Sequence, residues 1–164
     1  TKQSVNYLKE NGAVAIDISD DALKVADYNK KYNNADYIKL IKSDMFSSSE
    51  CEQYKNEDNR FDVIVSNPPY IPTKDIDELS EEVRLHDPVL ALDGDTDGLK
   101  FYKAITKQSV NYLKENGYLC YEIGYNQAED VRNIMEQCGY SGIKVIKDLA
   151  GLDRVVIGRL NNIN

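Results

Sequence analysis

The chain has 164 residues, of which 41% are hydrophobic and 29% are charged, and its formal net charge is −8 at pH 7. This size and composition are typical of one globular domain, and without an apolar run of roughly 20 residues or a secretory-signal pattern we expect a cytoplasmic protein with no membrane partner. The acidic charge disfavours direct binding to nucleic acid, and three distant cysteines with one histidine favour neither a disulfide framework nor a metal site.

The first half of the chain predicts two strands with a helix between them. Residues 13–18 form an apolar run of strand length, and the serine and two aspartates at 19–21 are a typical helix start. We expect this helix to continue to about Asn29. Residues 37–41 alternate like a strand, and the polar stretch 47–59 predicts an exposed connection.

The clearest strand signal covers residues 61–66, which are β-branched and almost continuously apolar, as in a parallel strand that is covered on both faces. The sequence Asn-Pro-Pro-Tyr at 67–70 follows directly. Two prolines exclude both ladder pairing and helix, so the strand must end in a rigid loop. A long loop is expected over residues 72–98, with a short helix at about 77–85.

The second half predicts two helices, a strand and a final hairpin. One helical face is formed by Leu99, Tyr102, Thr106, Ser109 and Leu113. Gly117 is expected to end that helix, and residues 118–123 to form a strand. Asn126 is expected to cap a helix that stops at Gly139, before a hairpin that pairs residues 143–146 with 155–157.

This alternation predicts the α/β class, with a mostly parallel twisted sheet, helices on both faces and a C-terminal antiparallel hairpin. Ligands of such sheets lie beyond the carboxyl ends of the strands. Asp17, Asp44 and Asn67 lie at or just past three of these ends, so they form a candidate site by position alone.

Residues 1–12 and 106–117 are identical, both reading TKQSVNYLKENG. A repeat that occurs twice and then stops differs from a solenoid, so we interpret residues 1–12 as a recombined or engineered segment, with a natural short duplication as the alternative. The spacing of Val5 and Leu8, matched by Val110 and Leu113, predicts that both copies are helical. An extended first copy is the other possibility.

The Asn-Pro-Pro-Tyr sequence resembles the signature loop of amino- and amide-methyltransferases. An amide nitrogen has a delocalised lone pair, so a catalyst must hold its N–H groups with acceptors while the nitrogen faces the methyl donor. The Asn67 side-chain oxygen and the Pro68 carbonyl can be those acceptors, with Pro69 adding rigidity and Tyr70 packing on the flat substrate. The alternative is a turn with no function.

The resemblance extends along most of the chain, over about residues 13–160. It is carried by the segments 16–19, 21–23, 43–46, 61–71, 82–88, 91–92, 97–99, 122–124, 147–151 and 153–156. Together these resemble the protein-(glutamine-N5) methyltransferases that modify peptide-chain release factors, which belong to the class I S-adenosylmethionine-dependent enzymes. The resemblance implies methylation of the glutamine in a Gly-Gly-Gln loop of a release factor.

The same resemblance implies where the cofactor lies. Asp17, with Ile18 beside it, is expected at the ribose hydroxyls of S-adenosylmethionine, and Asp44 or Met45 at the adenine. Asn67 is expected to contact both cofactor and substrate. For Asp17, a purely helix-capping role is the weaker alternative because Ser19 is already available as a cap; for Asp44, a solvated loop position is nearly as plausible.

Two departures from the family pattern bear on activity. No Gly-x-Gly-x-Gly loop precedes Asp17, and the family's N-terminal helical domain has no counterpart. We therefore expect residues 13–164 to form an incomplete catalytic domain that binds its cofactor weakly. Two alternatives stay open: amino-methylation of adenine or cytosine in nucleic acid, and a rearranged fragment without catalytic activity.

Overall fold

A computed structural model describes residues 8–161 of the chain. The chain divides into two compact units, Thr1–Gln53 and Tyr54–Asn164. Among residues 8–161, no helix combines the length and apolar character needed to cross a membrane.

The first unit contains a two-stranded parallel sheet and one long helix. Its elements are β1 (Ala13–Asp17), α1 (Asp20–Tyr32) and β2 (Ile38–Lys42), and residues 8–11 are also helical. Ser19 is the N-cap of α1, and its Oγ accepts a hydrogen bond from the Ala22 amide at 3.2 Å, as the sequence predicted. The helix continues to Tyr32, three residues beyond the expected Asn29.

The second unit contains a four-stranded mixed sheet. Its elements are β3 (Phe61–Ser66), α2 (Glu81–His86), α3 (Val89–Leu92), α4 (Lys100–Ser109), β4 (Leu113–Glu122), α5 (Ala128–Gln137), β5 (Tyr140–Lys147) and β6 (Asp153–Leu160), with short 3-10 helices at Glu57–Asn59 and Thr73–Glu78. The strand order is β3-β4-β6-β5. Strand β3 is parallel to β4, and β6 is antiparallel to both β4 and β5. The α/β class with parallel pairing and a C-terminal hairpin is thereby confirmed.

The core of the second unit is rich in tyrosine. Tyr102 and Tyr121 are fully buried and meet edge to face, with ring centroids 5.1 Å apart. The Tyr121 hydroxyl shares a 2.8 Å hydrogen bond with Thr106, and the Tyr140 hydroxyl shares one of 2.6 Å with Ser109. Burial raises the pKa of Tyr102 and Tyr121 strongly and that of Tyr140 to about 12, so all three stay protonated at neutral pH.

The expected helix through Gly117 is wrong. Helix α4 ends at Ser109, and β4 begins at Leu113, which is completely buried. Leu113 has the spacing of a helix face, but an apolar residue can equally occupy the inner face of a strand. Here its burial in the core determines that the segment is a strand. The register of β4 against β3 shifts between Leu113 and Tyr118, where Asn116 has a φ of 66°.

The two identical dodecamers therefore do not share one conformation. The prediction that both are helical is wrong for the second copy, which leaves the helix after Ser109 and becomes a strand. In the first copy, residues 8–11 are helical, and the prediction for residues 1–7 lies outside the described residues. The tripeptide Leu-Lys-Glu is thus helical at 8–10 and extended at 113–115.

Three smaller expectations also need correction. Within residues 8–161 the strands form two sheets rather than one, with two parallel and two antiparallel pairings. Strand β3 is not covered on both faces, because Val63 is 49% and Val65 is 76% exposed. Helix α5 has Gln127, not Asn126, as its N-cap.

The buried Tyr121 hydroxyl can be tested by Tyr121→Phe. The change leaves the buried Thr106 hydroxyl without this partner, and we expect a loss of about 1–3 kcal/mol in the free energy of unfolding. Urea denaturation followed by circular dichroism measures it. The control is Tyr118→Phe on the same strand, where the side chain is 44% exposed and little change is expected. Equal losses in the two variants would contradict this account of the core.

Candidate functional site

The first unit gathers four of the predicted site residues at one edge of its sheet. Strands β1 and β2 are parallel, with Asp17 opposite Lys42, so both carboxyl ends lie at the same edge. Asp17 is the last residue of β1 and Ile18 follows it, and Asp44 and Met45 come shortly after the end of β2. The backbone holds this edge together, because the Ser43 amide donates to the Asp17 carbonyl at 3.0 Å.

The side chains at this edge combine exposed carboxylates with apolar surface. Asp17 is exposed, and its Oδ1 accepts a 2.8 Å hydrogen bond from the Ser19 amide, which fixes the carboxylate beside the start of α1. Ile18 is 44% exposed. Asp44 is exposed, and Met45 is half-buried with a φ of 51°, a backbone conformation uncommon for a non-glycine residue.

The second unit contains the Asn-Pro-Pro-Tyr loop at the carboxyl end of β3. The loop leaves the strand directly, as expected, because neither proline has an amide hydrogen for a ladder. Asn67 is exposed, Pro68 is buried, and Pro69 and Tyr70 are half-buried. The loop thus presents a polar amide to solvent on a rigid, partly buried support.

A second segment of the same unit, residues 92–98, lies alongside residues 71–73, which follow the loop directly. We call residues 92–98 the brace. The Ile71 amide donates to the Leu92 carbonyl at 3.0 Å, and the Gly94 amide donates to the Ile71 carbonyl at 2.8 Å. Further along, the Thr73 amide donates to the Asp95 carbonyl at 3.1 Å. The Ile71 and Thr73 amides therefore find backbone partners in the brace.

Two glycines let the brace approach Tyr70. A Cβ added to Gly94 would lie 2.9 Å from the Tyr70 Cα, and one added to Gly98 would lie 2.4 Å from the Tyr70 carbonyl oxygen. Gly98 also has a φ of +71°, which side-chain-bearing residues rarely adopt. The sequence indicated a turn here but not this close packing, because a composition of glycine and aspartate does not name the segment it packs against.

The aspartates of the brace are turn-forming groups. The Thr96 amide and then the Lys100 ammonium lower the pKa of Asp95. The Lys103 ammonium, 2.6 Å away, and then the Leu99 amide lower the pKa of Asp97. Both carboxylates are consequently charged at neutral pH, where they hold the turn that precedes α4.

The hairpin turn is tied to the end of β4 by Arg154. Its Nη1 donates to the Ile123 carbonyl at 3.2 Å, and its Nη2 donates to Asp148 at 3.1 Å. The other Asp148 oxygen accepts from the amides of Ala150 and Leu152 at 2.9 and 3.0 Å. The Leu152 amide contributes most to a lowered Asp148 pKa, and Arg154 contributes in the same direction.

The mixed α/β architecture, with parallel pairing and a C-terminal hairpin, is the fold of the class I methyltransferases. A methyltransferase from Pyrococcus furiosus has a similar structure, with a TM-score of 0.65 and 18% identity, covering 92% of this chain and 64% of that one. A ribosomal protein L11 methylase from Lactobacillus delbrueckii subsp. bulgaricus matches with a TM-score of 0.58 and 18% identity, covering 92% and 58%. The chain belongs to the family described as Eco57I restriction-modification methylase, whose sequence profile matches residues 2–133.

Curated relatives confirm the resemblance to the glutamine-N5 methyltransferases. A release factor glutamine methyltransferase from Fusobacterium nucleatum is 40% identical over 154 residues, which are 94% of this chain and 42% of that protein. A protein of the same name from Clostridium acetobutylicum is 39% identical over 152 residues, covering 92% and 52%. The chain thus spans about half the length of these two relatives.

The fit of the brace against the loop can be tested by Gly98→Ala. The matched control is Gly151→Ala, because Gly151 has a φ of +81° but nothing within 4 Å of its added Cβ. Both variants incur the backbone cost of roughly 1–2 kcal/mol for a left-handed residue. Gly98→Ala must also displace Tyr70, so we expect it to lose roughly 1–3 kcal/mol more in urea denaturation. Equal losses of unfolding free energy in the two variants would mean that the close packing of the brace against Tyr70 does not contribute to stability.

The Asp148 cluster predicts a pH-dependent effect of Asp148→Asn. Because the folded-state pKa is lowered, the carboxylate stabilises the fold fully above the ordinary aspartate pKa of about 4, and this contribution is lost as pH falls through the folded pKa. We expect the variant to melt below the wild type at neutral pH and the difference to close at acid pH. Melting curves across this range test it, with exposed Asp77→Asn as control. A difference that does not change with pH would contradict the prediction.

Proposed function

We propose that the chain transfers a methyl group from S-adenosylmethionine to the side-chain amide nitrogen of a glutamine in a peptide-chain release factor. The observation that carries the proposal is the exposed Asn67 at the end of a parallel strand, on a double-proline loop whose continuation is held by the brace. The names of the relatives, at about 40% identity over nearly the whole chain, support the choice of glutamine.

In the proposed complex the loop recognises a planar NH₂ group. The Asn67 side-chain oxygen and the Pro68 carbonyl accept its two N–H bonds, so the nitrogen can face the donor only in one direction. The ring of Pro68 fixes its φ at about −65°, which limits the relative positions of the two acceptors, and Pro69 restricts the backbone that follows. The half-buried Tyr70 ring offers a flat surface for the amide. These groups orient the substrate, and orientation is the main requirement of the reaction.

The residues at the edge of the first unit fit an adenosine group. Asp17 is an exposed carboxylate with two oxygens, one of which accepts from Ser19, and carboxylates suit the paired hydroxyls of a ribose. Ile18 and Met45 supply apolar surface, and Asp44 an acceptor, for the adenine. When bound, S-adenosylmethionine supplies an activated methyl group together with its leaving group. The expectation that Asn67 contacts the cofactor stays a prediction.

The main competing substrate is an exocyclic amino group of adenine or cytosine, which has the same planar nitrogen. The family description names a restriction-modification methylase, which is consistent with this chemistry. The net charge of −8 opposes it, because phosphate contacts require a concentrated basic surface. A Gly-Gly-Gln loop of a release factor therefore remains the proposed substrate.

The proposal is tested by incubating the chain with methyl-labelled S-adenosylmethionine and either a release factor or duplex DNA. We expect label on the release-factor glutamine, and Asn67→Ala to lower kcat by about 100-fold because one of the two acceptors is lost. Asn133→Ala, an exposed position in α5, is the control and should retain the wild-type rate.

The other outcomes separate the alternatives. Labelled adenine or cytosine in place of glutamine would establish the nucleic-acid substrate. Full activity in Asn67→Ala would remove the loop from the reaction. Isothermal titration showing no binding of S-adenosylmethionine by the wild type would identify the chain as a fragment without catalytic activity.

A further inference from the structure

The side chain of Gln127 lies at the junction of three loops in the second unit. It is only 7% exposed, although it is the N-cap residue that precedes α5. Its Nε2 donates to the Tyr70 carbonyl at 3.0 Å and to the Gly98 carbonyl at 3.3 Å. Its Oε1 accepts from the Gly124 amide at 3.0 Å. One buried amide thus joins the loop after β3, the brace and the loop after β4.

Every hydrogen-bonding group of this side-chain amide has a partner. A glutamine amide has two N–H donors and one carbonyl acceptor, and here both donors and the acceptor are bonded within the protein. Because the donors face two carbonyls and the acceptor faces an N–H, the amide has one favourable orientation. Rotation by 180° would oppose like groups at three contacts, each of which costs free energy in a buried site.

Helix capping does not explain these contacts. Gln127 is the N-cap of α5, but its side chain makes no hydrogen bond to an amide of the first turn. Its main chain connects α5 to the strand end, because the Gln127 amide donates to the Gly124 carbonyl at 3.0 Å. The side chain instead extends away from the helix to a residue 57 positions earlier in the sequence.

We propose that Gln127 is a positioning residue for the methyl-transfer loop, a role that rests on the proposed function. Its bond to the Tyr70 carbonyl fixes the peptide unit that follows the two prolines. Since Pro68 and Pro69 have nearly fixed φ angles, the segment from Asn67 to Tyr70 has few free backbone torsions. Holding one end therefore restricts the positions that the acceptors at the other end can take, although Gln127 itself touches neither substrate nor cofactor.

The packing at Gly98 supports this role. A Cβ at Gly98 would lie 2.8 Å from the Gln127 Nε2 as well as 2.4 Å from the Tyr70 carbonyl oxygen. A Cβ at Gly124 would lie 2.8 Å from the Gln127 Oε1. The amide therefore occupies a slot with two glycines in its wall, and a side chain at either position would displace it.

The experiment compares Gln127→Met with Gln137→Met. Methionine keeps the length and volume of glutamine but removes its donors and acceptor, and Gln137 is an exposed residue at the other end of α5. We expect Gln127→Met to lower kcat for release-factor methylation by about 100-fold, with the dissociation constant for S-adenosylmethionine changed by less than about twofold. Gln137→Met should leave both values unchanged.

A conservative variant adds a readout that a purely structural role would not move. In Gln127→Glu the carboxylate loses both donors, but protonation restores one O–H donor toward the Tyr70 and Gly98 carbonyls. Relative to wild type, its kcat should therefore rise as pH is lowered from about 8 to about 6, since burial raises the pKa of a carboxyl. A constant ratio across this range would overturn the positioning role.

Hydrogen exchange tests the contact independently of methylation. In Gln127→Met we expect faster exchange of the Ile71 and Gly94 amides, which link the loop to the brace, with no change in Gln137→Met. Unchanged exchange overturns the inference, even if the wild type methylates a release factor. Faster exchange with an unchanged kcat overturns the role in catalysis. If the wild type methylates nothing, the proposed function fails, while exchange still decides whether Gln127 holds the loop.

Discussion

The second unit is organised by the loss of two backbone donors at Pro68 and Pro69. A chain that leaves a strand through two prolines cannot continue the ladder, and the amides that follow need other partners. The Ile71 and Thr73 amides find them in residues 92–98, which return alongside residues 71–73. This return requires glycine at two positions and explains why the long, irregular connection between β3 and α4 is ordered by hydrogen bonds. The rigidity of the loop and the course of the following segment therefore have one cause.

Local signals predicted much of the fold because they are encoded over a few residues. Ser19 begins a helix through its own side chain, the apolar run at 61–66 forms a strand, and alternation marks the final hairpin. The segment around Leu113 could not be predicted this way. Its tripeptide occurs twice and is helical in one place and extended in the other, so burial and neighbouring strands decide its conformation.

The residues of the candidate site also divide into those that local sequence signals could locate and those that they could not. Strand ends could be located from the sequence, and Asp17, Asp44 and Asn67 indeed lie at or just past the ends of strands. Gln127 could not be found, because its partner Tyr70 is 57 residues away and a glutamine before a helix carries no local signature. The proposed loop chemistry, moreover, distinguishes a planar NH₂ group from other nitrogens but not a protein from a nucleic acid. The choice of macromolecule must therefore be made by residues other than 67–70.

The exposed apolar side chains of the four-stranded sheet have a thermodynamic consequence. Val63 and Val65 on β3 are 49% and 76% exposed, Tyr118 on the neighbouring strand is 44% exposed, and Ile146 on β5 is 48% exposed. Water already surrounds much of these side chains in the folded state, so unfolding hydrates less new apolar surface there. The heat capacity of unfolding should consequently fall below the usual value of about 12–15 cal/mol/K per residue. A smaller heat capacity flattens the dependence of stability on temperature and moves cold denaturation further from the physiological range.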